Sequence, residues 1–97
     1  MVGRPKVWDG KWRIVIYDIP RIKSSLRDHL RRVLVRSGFI KMQESVYVFP
    51  FPCTDEIENI VTDLAIKDYV EIFIARAVIA EEKLIKKFID MKVLKKI

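Results

Sequence analysis

The residue with the clearest chemical promise is Asp18, an acid that ends the apolar run Trp12–Tyr17 directly ahead of Ile19 and Pro20. Asp9 is the only other acid nearby in the sequence, so one chain supplies no obvious cage of carboxylates. Two copies of Asp18 meeting at a two-fold axis could nevertheless share one divalent ion. Mg2+ favours hard oxygen donors completed by water, and a bound Mg2+ can activate water for attack on a phosphodiester. Asp18 is therefore the candidate catalytic and metal-ligating residue, with Mg2+ as the cofactor. The competing reading is structural: an acid at a strand end caps the following turn through its own backbone.

A second chemical feature surrounds it. Lys11, Arg13, Arg21, Lys23, Arg27, Arg31, Arg32 and Arg36 form a basic set in which five arginines and Lys23 fall between positions 21 and 36, against the single acid Asp28. Such a density of like charge repels itself, and a polyanion relieves the repulsion. Cations on a turn and a helix can grip phosphates without reading bases, with an affinity that falls as salt rises. The competing reading is a solvated helix face.

Length and composition bound the rest. Ninety-seven residues, 51% hydrophobic and 33% charged, fit one domain and exclude an enzyme with separate cofactor and substrate lobes. The net charge of +6 is uneven: residues 1–49 carry eleven basic and four acidic side chains, residues 50–97 eight and nine. A basic half points to nucleic acid ahead of a membrane surface. One cysteine, Cys53, excludes an internal disulfide framework, and one histidine, His29, leaves too few soft ligands for structural zinc. A Ser-His-Asp or Cys-His mechanism would have to be built around His29 inside the arginine-rich stretch, which speaks against it. Cys53 reads as a small buried residue. No apolar run approaches the roughly 18 residues of a membrane span, and the chain opens without a signal-peptide pattern, so a cytoplasmic location is expected.

The elements that would position these residues follow from the pattern. Trp12–Ile19 reads as a strand stopped by Pro20, which cannot donate to a ladder. Ser25 with Asp28 three residues on resembles a capping box, and Leu26, Leu30, Val33 and Leu34 then share a helical face up to Gly38, a natural residue just past a helix end. Two short strands, or one bent strand, run from Phe39 to Phe49 around Glu44. A second helix has Asp55, Glu56 and Glu58 near its start and an apolar face of Ile57, Ile60, Val61, Leu64 and Ala65. Val70–Ile79 reads as the last strand, and Leu84, Ile85, Phe88, Ile89 and Met91 mark a C-terminal helix.

The order β-α-β-β-α-β fits an α+β, ferredoxin-like fold: an antiparallel sheet with two helices on one face, followed by a helical segment. Residues 1–7 would be a polar tail, 8–79 the core domain and 80–97 the C-terminal extension. Both alternating sets of side chains in the strands are largely apolar, although a sheet facing water on one side should show a polar set. The second face should therefore be covered, most simply by the same face of a second copy in a two-fold homodimer; the competing reading is that the C-terminal helix folds back over it. Val15, Tyr17, Tyr47, Phe49 and Phe73 are the expected dimer interface.

Two stretches carry a family resemblance over roughly residues 8–79. Trp8-Asp9-Gly10-Lys11-Trp12-Arg13, running on to Tyr17-Asp18-Ile19-Pro20, resembles the central domain of PaaX-type repressors. Gly38-Phe39 with Gln43-Glu44-Ser45-Val46-Tyr47 resembles both that domain and CRISPR-associated protein 2, the small subunit of the spacer-acquisition complex. The resemblance implies a ferredoxin-like homodimer on double-stranded DNA, bridging CRISPR integrase subunits. It also implies a metal-dependent endonuclease, acting on DNA or RNA, with Asp18 at the metal. In the repressors the same domain follows a winged helix. With seven residues ahead of Trp8, this chain is expected not to be a complete repressor, and an oligomerisation module from such a regulator is the alternative.

Overall fold

Because Trp12–Tyr17 is rich in β-branched and aromatic residues, this run forms the central strand β1 in a computed structural model that describes residues 7–76 and 78–95. A 3-10 turn at Arg21–Lys23 leads into α1 (Ser24–Arg36), β2 (Ile40–Gln43), β3 (Val46–Phe49) and α2 (Thr54–Asp63). A second 3-10 turn at Lys67–Tyr69 precedes β4 (Val70–Ala75) and α3 (Glu81–Asp90). The described residues thus form a mixed α+β fold with three α-helices and one four-stranded sheet, ordered β2-β3-β1-β4, in which every pairing is antiparallel.

Several boundaries differ from the pattern reading. β1 stops at Tyr17, because the Asp18 N–H already donates to the Tyr69 carbonyl at 2.9 Å and the chain turns away toward Pro20. β4 ends at Ala75 rather than Ile79: Ala75 faces Trp12, the first residue of β1, and beyond it no partner strand remains. The expected capping box does not form. α1 starts two residues early, with Lys23 rather than Ser25 at the N-cap and no side-chain bond there, and Asp28 instead pairs with Arg27 at 3.3 Å.

The helix ends share one solution. After α1, Gly38 adopts φ +99°, and the Gly38 and Phe39 N–H groups donate to the Val35 and Leu34 carbonyls. This Schellman closure satisfies orphan carbonyls and folds Phe39 back onto the core. Ala65 (φ +56°) after α2 and Lys92 (φ +62°) after α3 close their helices the same way, without a glycine.

The pairing register sorts the sheet into two faces. Opposite residues share a face, so Arg13 and Phe49, Val15, Tyr47 and Ile72, and Tyr17 and Val70 point one way. Ile14, Val48 and Phe73, and Ile16 and Val46, point the other. The first set is the inner one: Val15, Tyr17, Tyr47 and Phe49 are buried with Leu30 and Leu34 of α1 and Ile57 and Val61 of α2. Tyr17 stacks on Tyr47 at 6.2 Å, and burial pushes its hydroxyl pKa up to about 12.

The C-terminal helix joins this core. Phe88 stacks on Trp12 at 5.7 Å and meets Phe49 edge-on at 6.5 Å, while Trp12 Nε1 donates to Glu81 Oε1 at 2.9 Å. α3 therefore closes the Trp12 end of the sheet, where Trp12 is fully buried. Further along the outer face it leaves Phe73 51% and Ile16 38% exposed.

Candidate nucleic-acid interface and carboxylate site

Arg13 leaves the expected nucleic-acid set. It is only 4% exposed, pairs with Asp9 at 2.7 Å, and donates Nη1 to the carbonyls of Lys11 and Pro50 at 2.9 Å each. Gly10, at φ +80°, turns the chain so that Asp9 comes back over Arg13. The Lys11 N–H caps Asp9 Oδ1 at 3.0 Å, and Trp8 Nε1 donates to the Lys11 carbonyl at 2.9 Å. A guanidinium with this many fixed partners is a clamp on the domain's entry, not a free phosphate contact. Lys11 itself is half-buried on the same turn.

The remaining cations behave differently. Arg21, Arg31, Arg32 and Arg36 are exposed and Lys23 half-buried, and none of the five forms an ion pair among the described residues. Arg27 is half-buried and holds the one acid of the stretch, Asp28. Helical spacing of about 100° per residue separates the arginines of α1 into two flanks around the exposed ridge opposite Leu30 and Leu34. Arg27 and Arg31 lie toward the β2–β3 turn, where both act electrostatically on Glu44. Arg32 and Arg36 occupy the ridge and its far side. The basic set is thus divided between two sides of α1, with Arg21 and Lys23 on the turn that leads into it.

Asp18 is exposed at the end of β1, and its carboxylate makes no hydrogen bond or ion pair with the described residues. The turn cap proposed as its structural role is therefore absent. Among the described residues no three acidic, histidine or cysteine side chains gather as a metal site. The donor set in one chain is a single carboxylate, which fits Mg2+ only beside donors from another molecule.

The anticipated dimer interface is reassigned. Val15, Tyr17, Tyr47 and Phe49 lie on the inner face, 0–6% exposed, where the chain's own helices cover them. Phe73 alone of the five reaches solvent, and the register sets it with Ile14 and Ile16 on the outer face. The signal that could have separated the faces is Glu71, which lies opposite Ile16 and marks its side as the wet one. Cys53 is buried at the N-cap of α2, and burial raises its thiol pKa to about 12.

What these features define is a small α+β domain with a cationic helix, a lone exposed carboxylate at the end of its central strand, and a partly open apolar sheet face. Its sequence matches the family described as the PaaX protein central Cas2-like domain over residues 5–85, and the chain belongs to that family. No curated protein matches it. No helix among the described residues is long and apolar enough to cross a membrane.

Proposed function

We propose that the domain works as a homodimeric scaffold for double-stranded DNA, of the kind used in CRISPR spacer acquisition, where an integrase subunit would be its protein partner. The carrying observation is the set Arg21, Lys23, Arg31, Arg32 and Arg36, which makes no ion pair among the described residues although Arg13 and Arg27 are paired. Folding does not use these five charges, and a row of phosphates would. The strand order β2-β3-β1-β4 supports reading the sheet as the ferredoxin-like βαββαβ type. Ile16 and Phe73 on the outer face support a second copy as the partner there.

Asp18 supports an added Mg2+-dependent nuclease activity, because its carboxylate is not engaged in capping. Two copies would supply two carboxylates, and the ion would activate water for phosphodiester hydrolysis. The test is a titration of labelled duplex DNA at low and moderate salt. Binding that weakens steeply with salt is expected. A stable dimer that ignores DNA at low salt would sink the scaffold reading and favour the oligomerisation module of a PaaX-type regulator.

A further inference from the structure

We propose that Ile22 is a wedge that enters the minor groove of a bound duplex and parts two stacked base pairs, an inference that rests on the DNA-binding reading above. Ile22 is 92% exposed, at the centre of the Arg21–Lys23 turn. Among the exposed large apolar residues described, it alone has a cation on each side in the chain. Ile19, three residues earlier, is buried in the core, so the same short connection turns one isoleucine inward and the other out. The projection is held in place rather than loose. The Lys23 N–H donates to the Pro20 carbonyl at 2.8 Å, Pro20 fixes φ at −57°, and two residues before it the Asp18 N–H donates to the Tyr69 carbonyl.

A fixed apolar tip between two cations matches the chemistry by which proteins kink DNA. Arg and Lys hold the phosphates or the groove while an Ile, Leu, Phe, Met or Pro enters between base steps. Nucleic acid is favoured as the occupant because its phosphates complement both Arg21 and Lys23 beside the apolar tip, whereas a turn-on-turn contact with a second copy would set these cations against their own like charges.

The experiment uses the full chain with short duplexes carrying 2-aminopurine at successive steps and a donor–acceptor pair at their ends. Wild type should raise 2-aminopurine emission severalfold at one step and shorten the end-to-end distance. Ile22→Ala should bind with near wild-type affinity and salt dependence but leave both signals at the free-duplex level. Binding by wild type without either change, or an Ile22→Ala protein that keeps both, overturns the wedge and leaves the DNA-binding reading standing. Failure of wild type to bind at low salt overturns both. Dissociation of a wild-type dimer by Ile22→Ala in sedimentation would show a protein contact and overturn the wedge.

Discussion

Arg13 holds Asp9 at both carboxylate oxygens: Nη2 lies 2.7 Å from Oδ2 and Nη1 2.9 Å from Oδ1. The residues are four apart but not helical, and the pair fastens the entering chain to the sheet. Those hydrogen bonds from Arg13 are the largest influence holding the Asp9 pKa down at about 2, against an ordinary 3.8. A depressed folded value means the stabilisation is complete above about pH 4 and is lost as pH falls toward 2. Thermal unfolding of wild type and Asp9→Asn should therefore differ at neutral pH and converge in that acid window. Equal melting temperatures at pH 7 would refute the clamp.

Removing the other partner should cost more. Arg13→Met strands the Lys11 and Pro50 carbonyls as well as Asp9, and should lower stability by about 2–4 kcal/mol. For a domain of this size, that is a fall in Tm of roughly 10 °C or more.

The free arginines should show the opposite profile. Arg32→Ala and Arg36→Ala should each leave stability within about 0.5 kcal/mol of wild type. Each should also reduce the slope of log affinity against log salt by about 1 in a duplex titration. An unchanged slope would remove them from the DNA surface.

Sheet-face assignments separate cleanly. Phe73→Glu should keep the fold and shift a dimer to monomer in analytical ultracentrifugation, because Phe73 is half exposed in the single chain. Tyr47→Glu should unfold the protein, since it places a charge in the inner core beside Tyr17.

Asp18→Asn should melt with wild type, as its carboxylate has no partner among the described residues. Any Mg2+-dependent cleavage of nucleic acid should vanish in the same variant. Cleavage that persists would place the activity elsewhere.

Much of this architecture follows from local rules. The leucine stripe of α1, the acids that open α2 and the apolar side of α3 are periodic features, and burial of Leu30, Leu34, Ile57, Val61, Leu84 and Phe88 follows from them. Gly38 likewise announces its own turn. Ala65 and Lys92 do not, because any residue can be forced to positive φ when the Schellman bonds and the packing beyond them hold it there.

Two decisions were tertiary. Alternation in β1 shows that Val15 and Ile16 point opposite ways, but both are apolar, and period alone carries no sign for which is inside. Only the pairing register, which sets Phe73 against Ile14 and Glu71 against Ile16, together with the helices over Val15 and Tyr47, resolves it. Arginine in the sequence is likewise a charge without an address. The reversal at Gly10 delivers Asp9 to Arg13 and takes it out of the phosphate-binding set, while Arg32 and Arg36 form no ion pair among the described residues.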